Sequence, residues 1–409
     1  MTVVRRRMQE TLETSIVSTL DDVDREEWTT LTEGLGLYAS YPYLRFAEHF
    51  FAERAWYVLC RAGDRLVAAL PAYDCAGATT IGLEGLGPYD YRSQFADLAP
   101  GRTGGAEWYP GALGGTRTGY VTDVSVDGRL GERARDEAVQ RVLARFSAEV
   151  RASGGHSEAL MYLTPTAAAV VRSAAPDASL LVSPFSADAY LPLHFAGFDE
   201  YLSSLPGQRR HTARRERRRF HELGLRITTA RLGDHYEEVA SLVRNVHHKH
   251  GQMDELGALL RWFSLQVEFV DEASVLFLCR DTGGRLVGCS SFFVWNGGLY
   301  GRCVGFDYAR LPARSYAYFN LVFYEPIRWA LDAGLEMIHF GMASAAKAAR
   351  GSRIRPSWSS VRPSSQRPRA FADSAAGWNM RILSAWRLQY ADFASQLSRA
   401  DWNDPNGGA

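Results

Sequence analysis

Arginine is concentrated in one short stretch of the sequence, residues 208–220. Residues three and four apart lie on one face of a helix, so a helix here has a cationic stripe of Arg210, Arg214, Arg217 and Arg218. Guanidinium groups bind phosphate oxygens through paired hydrogen bonds. The stretch therefore predicts a surface for a phosphate-bearing ligand, assigned to Arg209, Arg210, Arg214, Arg215, Arg217 and Arg218. A solvated helix face is the alternative, since charged runs often have no other role.

A second pair of cations, Lys347 and Arg350, follows a strand predicted at Met337–Phe340. A strand that runs into a glycine turn places the next side chains at the carboxyl end of a sheet, where open α/β folds bind ligands. Lys347 and Arg350 are therefore expected to project together near a ligand. A surface loop with two incidental cations is the alternative.

Three histidines, His247, His248 and His250, raise the question of a metal site. Neighbouring histidines point in different directions on a helix, and no carboxylate at a suitable spacing completes a ligand set. We therefore predict no metal. The sequence also shows no nucleophile with a base partner and no P-loop or dinucleotide-binding fingerprint.

Composition limits the classes of protein to consider. The chain has 409 residues, enough for two ordinary cores, and its 46 basic residues balance 46 acidic ones, which argues against a surface that is cationic throughout. No apolar run of about twenty residues predicts a membrane span, and the arginine-rich start lacks the apolar segment of a secretory signal. Five cysteines, mostly in apolar runs, are typical of free thiols in a reducing compartment. We expect a cytoplasmic protein.

The elements that would position these residues repeat one plan in each half of the chain. In the first half, alternating apolar residues and turn signals predict a hairpin of Trp56–Cys60 with Arg65–Pro71. A strand at Gly119–Val126, a helix at residues 134–153 and a strand at Ala159–Leu163 then indicate a parallel crossover.

The second half shows the same order with a clearer pattern. Its predicted elements are a strand at Leu225–Thr229, a helix at Tyr236–Lys249, a hairpin of Val275–Arg280 with Arg285–Trp295, a strand at Leu299–Gly305, a helix at Tyr316–Ala333 and the strand Met337–Phe340. This order predicts an α/β (α+β) protein with two fused domains, each a mixed twisted sheet flanked by helices. The predicted boundaries are 1–190, a linker at 191–224 that contains the basic helix, and 225–409 with a helical tail.

Several of these segments resemble the Fem-like branch of the GNAT acetyltransferase superfamily. The similarity is carried by the tyrosine-rich helix and glycine-terminated strand of Tyr318–Gly341, followed by Lys347-Ala-Ala-Arg-Gly351. Asp199–Pro206 before the arginine-rich helix, and Lys249–Gly251 before an aromatic helix, resemble the same branch. The resemblance covers residues 198–363 well, and in the first half rests only on Gly87–Tyr91.

The resemblance implies a double GNAT fold that transfers an acyl group to an amine, with aminoacyl-tRNA as donor in Fem-type enzymes and acyl-CoA in ordinary relatives. Ordinary relatives hold the CoA pyrophosphate in a glycine-rich turn at a helix N-terminus. Here that turn is Phe306–Tyr318, which lacks the glycines, so CoA binding in the second half is disfavoured. Gly128–Arg133 is a weak match in the first half and leaves acyl-CoA open.

By the same resemblance, Lys347 and Arg350 would contact the terminal phosphates of the tRNA, which acts as co-substrate without any further cofactor. An aminoacyl ester needs only an amine held against its carbonyl, a proton acceptor and a stabilised oxyanion. The candidates in the first half are Asp90 and Tyr91, which would grip or deprotonate the acceptor amine. Around the carbonyl, the candidates are Arg302, Asp307 and Tyr316, with His339 as a possible base.

Three functional hypotheses follow from the sequence. The first is an aminoacyl-tRNA-dependent aminoacyltransferase that forms an amide on a natural-product or cell-wall-precursor amine. The second is an acyl-CoA-dependent N-acyltransferase. The third is a non-catalytic module that binds RNA or another phosphate-bearing ligand through the same basic helix. The oligomeric state, the amino acid and the acceptor stay open.

Overall fold

The first half of the chain alternates strands with helices. In the computed structural model, which describes residues 11–51, 54–75, 109–117, 119–174, 181–363, 368–397 and 402, the strands are β1 (Leu12–Val17), β2 (Ala55–Ala62), β3 (Arg65–Cys75), β4 (Gly111–Gly114), β5 (Ser125–Val126), β6 (Ser157–Leu163) and β7 (Leu181–Pro192). The helices are α1 (Arg25–Leu31), α2 (Tyr41–Phe50), α3 (Glu132–Ala152) and α4 (Pro165–Ala174). The predicted hairpin and the helix after it are confirmed.

Two helices, α5 (Phe198–Ser204) and α6 (Gly207–Glu222), lead into the second half. There the strands are β8 (Arg226–Ala230), β9 (Ser274–Arg280), β10 (Leu286–Trp295), β11 (Gly298–Phe306), β12 (Met337–Met342) and β13 (Arg353–Pro363). The helices are α7 (Tyr236–Lys249), α8 (Leu256–Val270), α9, α10 (Ala345–Ala348) and α11 (Pro368–Gln389). Helix α9 runs through Ala317–Phe319, a π-helical turn at Asn320–Tyr324 and Glu325–Asp332. Each strand and helix predicted in this half is confirmed.

One mixed sheet runs through both halves in the order β1-β2-β3-β4-β6-β13-β7-β12-β11-β10-β9-β8, with β5 paired to β3. Parallel crossovers join β4 to β6 through α3 and β11 to β12 through α9. A single large apolar core cluster extends from Trp56 in the first half to Phe340 in the second. The predicted α/β class, with a mixed sheet flanked by helices, is confirmed.

The two halves exchange strands at their junction. β13, near the end of the described chain, pairs antiparallel with β6 of the first half, whereas β7 pairs antiparallel with β12 of the second. β13 and β7 also pair with each other, from Arg353 opposite Tyr190 to Val361 opposite Leu181. The sequence boundary at residue 190 therefore falls within β7, and the sheet is continuous across it.

The prediction of a strand at Gly119–Val126 is wrong for most of that segment. Only β5 and one isolated bridge between Thr122 and Leu163 pair there, and the strand beside β6 is β4. Gly119 packs against the ring of Tyr38 so closely that a Cβ would lie 2.4 Å from it. Tyr120 and Val121 of this segment instead pack against a core cluster that contains residues of both halves, such as Tyr38 and Tyr300.

Candidate functional site

The parallel strands β11 and β12 pair at only three positions and then separate. Their ladder joins Gly298 to Met337, Leu299 to Ile338 and Tyr300 to His339. Beyond it, residues 301–304 and residues 340–342 face each other across a cavity of about 180 Å³. We call this space the wedge cavity. It lies at the carboxyl ends of the two strands, where the sequence places a ligand.

Gly341 makes this separation possible. Its φ of +76° lies in the left-handed region that favours glycine, and the pairing of β12 with β7 shifts register between His339 and Met342. A Cβ at Gly341 would also lie 3.4 Å from the ring of Tyr120. Tyr120 belongs to the first half and lines the wedge cavity, so both halves contribute to the site.

Arg302, on β11, lines the wedge cavity and is surrounded by aromatic rings. Its guanidinium carbon lies 5.4 Å from the ring centre of Tyr120, 5.5 Å from that of Tyr38 and 5.9 Å from that of Trp262. Burial opposes its charge, but the neighbouring tyrosines outweigh burial and raise its pKa. The group is therefore a permanent cation, held by cation–π contacts.

Lys347 supplies a second cation to the wedge cavity. Its Nζ donates to the carbonyl oxygens of Phe340, at 2.6 Å, and Met342, at 2.5 Å. The Ser344 hydroxyl caps the short helix α10 that carries it. Burial lowers the pKa of Lys347 to about 8, against the attraction of Asp188. Among the described residues that line the cavity, none is an aspartate or glutamate, so the space suits a group that bears or develops negative charge.

His339 lies beneath the cavity in a buried network and not at its surface. The Gly341 N–H donates to its Nδ1 at 3.3 Å, so its Nε2–H donates to Asp188 at 3.0 Å. Burial lowers the pKa of His339 despite Asp188, and the ring is only 1% exposed. With both ring nitrogens engaged, His339 positions the Gly341 bend and is not placed as a general base.

Asp188 on β7 joins His339 to Arg355 on β13, and of these three residues sequence reasoning named only His339. The Arg355 guanidinium donates to both carboxylate oxygens, at 2.6 and 3.2 Å. Burial opposes ionisation of Asp188, but Arg355 and His339 outweigh it and lower the pKa to about 2. The ion pair of Asp188 and Arg355 thus joins the exchanged strands β7 and β13 beneath the wedge cavity. The signal in the sequence was weak, because β7 and β13 lack apolar runs.

Asp123 is a further acid that sequence reasoning missed. It follows Tyr120 by three residues, is half-buried, and accepts a hydrogen bond from Thr164 at 3.0 Å. Burial raises its pKa, against Thr164 and the attraction of Arg355. A carboxylate with a raised pKa is a better proton acceptor than an ordinary one. Asp123 does not itself line the wedge cavity, but the charges of Arg355, Asp188 and His339 beneath that cavity act on it.

Arg350 is buried and ion-paired. Its Nη2 donates to Glu216 at 2.8 Å, its guanidinium carbon lies 3.6 Å from the ring centre of Phe319, and it is 7% exposed. Glu216 belongs to α6. The guanidinium therefore faces the protein interior. Arg350 holds the loop that carries Lys347, and in this structure it is not placed to contact a phosphate.

The arginine-rich segment forms α6, as predicted. Ala213, Glu216 and Phe220 are its buried face. The exposed side presents four arginines, which we call the arginine face: Arg214, Arg215, Arg218 and Arg219.

Only Arg218 and Arg219 of the arginine face make ion pairs in the described chain, at 3.7 and 3.6 Å from the exposed Glu222. Such surface pairs contribute little. The guanidinium groups are therefore available to a ligand.

The remaining arginines of α6 turn toward the protein. Arg217 is half-buried with its guanidinium carbon 4.3 Å from the ring centre of Phe198, and burial lowers its pKa. Arg209 stacks on Phe393 at 4.3 Å, and Arg210 donates to the carbonyl oxygen of Ser203 at 3.1 Å. The exposed arginines therefore lie on a face that is rotated around the helix from the stripe predicted by residue spacing, because Glu216 and Phe220 lie on the buried face.

Asp307 and Tyr316, the other sequence candidates among the described residues, do not line the wedge cavity. Asp307 caps the turn after β11 and pairs with Arg310 at 2.5 Å. Tyr316 begins α9 in a left-handed conformation, with φ of 56°. Asp90 and Tyr91 lie outside the described residues. His247, one of the three histidines considered for metal, pairs with Asp254 at 2.5 Å.

The mixed sheet, with two parallel crossovers and a cationic wedge between splayed strands, agrees with the GNAT-type fold expected from the sequence. The chain belongs to the FemAB-like family, described as peptidoglycan biosynthesis/recognition, whose model matches residues 19–374. The resemblance stated from the sequence is confirmed. No curated protein matches the sequence significantly.

Solved structures align with the chain at low identity, and the first two below share its fold. FemX aligns with a TM-score of 0.57 at 9% identity, over 85% of this chain and 96% of FemX. A conserved protein of unknown function from Bacteroides thetaiotaomicron aligns with a TM-score of 0.54 at 12% identity, over 86% of this chain and all of its own (100%). A tandem GNAT protein from the clavulanic acid biosynthesis pathway aligns with a TM-score of 0.48 at 13% identity, over 87% and 99%. Within the described ranges, no helix is long and apolar enough to cross a membrane.

Proposed function

We propose that this acyltransferase takes its acyl group from an aminoacyl-tRNA and forms an amide on the amine of a small molecule or cell-wall precursor. The observation that carries the proposal is the arginine face of α6, which is exposed. On the opposite face of the same helix, Glu216 binds Arg350 and Tyr324 of the second half. Exposed arginines suit a polyphosphate chain, whose contacts supply most of the affinity of nucleic acid binding. The peptidoglycan description of the family supports the cell-wall acceptor.

The turn after β11 argues against acyl-CoA as the donor in the second half. A pyrophosphate needs free backbone N–H groups at such a turn. Here the Asp307 carboxylate already accepts the N–H groups of Ala309 and Arg310, at 3.1 and 3.2 Å. Arg314 holds a positive φ of 54° without being glycine, so this turn carries a side chain at a position with the backbone conformation that favours glycine.

In the proposed reaction, the acceptor amine attacks the carbonyl carbon of the aminoacyl ester. Negative charge develops on the carbonyl oxygen, where Lys347 and Arg302 stabilise it. Asp123 accepts the proton that the amine loses and returns it to the ribose oxygen as the ester C–O bond breaks, so the tRNA leaves with its hydroxyl restored. Asp90 and Tyr91 stay candidates for gripping the acceptor.

Donor identity is tested by supplying the purified protein with an acceptor panel and either charged tRNA or acyl-CoA, with a parallel sample treated with ribonuclease. Mass spectrometry then detects the new amide. The proposal predicts a product that needs charged tRNA and is lost after ribonuclease treatment. A product that survives ribonuclease and requires acyl-CoA replaces the tRNA donor with CoA. Tight tRNA binding without turnover across the panel favours a binding module instead.

A further inference from the structure

Glu216 is a buried acid in the middle of the arginine-rich helix α6. It is 4% exposed, whereas the neighbouring Arg214, Arg215 and Arg218 are exposed. An acid that is removed from solvent this completely needs partners that satisfy its charge. Its partners lie on two separate elements of the second half, and both of these elements form walls of the wedge cavity.

The first partner is Arg350, on the loop that carries Lys347. Glu216 Oε2 accepts from Arg350 Nη2 at 2.8 Å. Arg350 Nη1 in turn donates to the carbonyl oxygen of Ala346 at 3.0 Å, the residue before Lys347. The backbone carbonyl of Arg350 accepts from the Tyr201 hydroxyl at 3.0 Å. The turn that presents Lys347 is therefore fixed to α6 through one carboxylate.

The second partner is Tyr324, in the π-helical turn of α9. Its hydroxyl donates a short hydrogen bond to the same Oε2 atom of Glu216. This turn also contains Val322, and Tyr318 lies just before it, and both line the wedge cavity. Leu321 in the same turn accepts from the Ser290 hydroxyl of β10 at 2.7 Å. A π-helical turn inside an α-helix often marks a functional site.

We propose that Glu216 is a positioning residue, through which a donor seated on the arginine face sets the two walls of the wedge cavity around the acyl group. One carboxylate oxygen holds the Lys347 loop through Arg350 and the π-helical turn through Tyr324. Since α6 is a rigid helix, movement of the arginine face is transmitted to both walls. This inference rests on the proposed function for its ligand, but the contacts that carry it do not depend on the nature of the donor.

The test compares Glu216→Gln and Tyr324→Phe with a matched control, Glu222→Gln, which removes an exposed acid from the same helix. Steady-state kinetics with charged tRNA should show kcat lower by about tenfold or more in the first two variants, because small misplacements near reacting atoms are costly. The KM for the donor and its salt dependence should stay within about twofold of wild type, since the arginine face is untouched. Glu222→Gln frees Arg218 and Arg219 from their ion pairs, so it should leave kcat unchanged and alter only donor binding.

Amide hydrogen exchange gives a readout that does not need turnover. Exchange of residues 344–352 and 318–324 should accelerate in Glu216→Gln and Tyr324→Phe but not in Glu222→Gln. If exchange of these segments and kcat both match wild type, the inference is overturned. It is equally overturned if the two variants raise KM and flatten its salt dependence, because Glu216 then serves binding alone. Should Glu216→Gln fail to fold, Tyr324→Phe still decides, since it keeps the ion pair. If the tRNA donor proves wrong, the exchange result still stands.

Discussion

The ammonium group of Lys347 lies 2.6 Å from the carbonyl oxygen of Phe340, on the strand that leaves its neighbour to open the wedge cavity. The same group reaches the carbonyl oxygen of Met342. Lys347 thus spans the bend at Gly341, and a cation stands where the two parallel strands separate. A charge in this position can both select an acyl donor and stabilise the oxyanion that forms on it.

The fall of kcat on the alkaline side of the pH profile should report the loss of the proton from Lys347. Its pKa is lowered to about 8, first by burial, so the cation is present below that pH and is lost as the pH rises through it. We expect kcat to fall above pH 8 in wild type. Lys347→Arg stays charged, so whatever kcat it retains should not fall there, whereas Lys347→Met should lose at least about a hundredfold in kcat. A wild-type profile that is flat from pH 7 to 10 contradicts this role.

The acid limb reports Asp123. Its pKa is raised, first by burial and against the Thr164 hydrogen bond, so the base form is lost as pH falls through a value above the ordinary one. Thr164→Val removes the hydrogen bond that favours the ionised form and should move the acid limb to higher pH. Thr164→Ser keeps the hydroxyl and is the control. If kcat falls at the same acidic pH in Thr164→Val and Thr164→Ser, Asp123 is not the group that accepts the proton.

Donor affinity depends on the arginine face. Arg214→Ala with Arg218→Ala should weaken donor binding and reduce the slope of log K against log salt by about 2, since each lost phosphate contact contributes about 1. The control is Arg141→Ala on α3, an exposed arginine paired only with Glu137 in the described chain. Binding measured by filter retention over a salt series checks this. An unchanged slope places the phosphate contacts elsewhere.

Gly341 and Gly334 form a matched pair of substitutions. Both have positive φ, 76° and 68°, but a Cβ at Gly334 meets nothing within 4 Å, whereas at Gly341 it meets Tyr120. Alanine at either site should cost about 1–2 kcal/mol of unfolding free energy from backbone strain. Only Gly341→Ala should also lower kcat, because it alters the wedge cavity. Chemical denaturation and steady-state kinetics separate the two effects, and equal kcat values in both variants contradict the assignment.

The sequence predicted the second half of the fold well, because β9, β10 and β11 are apolar runs bounded by glycine turns and α9 ends at Gly334. It did not predict β7 and β13, whose residues include Pro184, Asp188 and Pro356. These strands are held by buried polar groups between neighbouring strands, and period-two alternation does not detect such burial. The exchange of strands between halves is a long-range pairing that local patterns do not encode.

For the site, sequence reasoning named Arg302 and Lys347. These residues were identified because a cation on or just after an apolar strand stands out in the sequence. Arg350 was grouped with Lys347 by spacing, but its acidic partner Glu216 lies on α6, 134 residues away in sequence. Asp123 pairs with Thr164, which follows β6, and Asp188 pairs with His339 on β12. Their pairing depends on the sheet order, so no local motif could have identified them.

The central claim is tested most directly by a single-turnover reaction with a tRNA that carries an isotopically labelled aminoacyl group. The account predicts that the label moves to an amide on the acceptor, with one uncharged tRNA released for each product, and that Lys347→Met slows this transfer without weakening tRNA binding to the same degree. Label that stays on the tRNA while acyl-CoA yields the product would contradict the account.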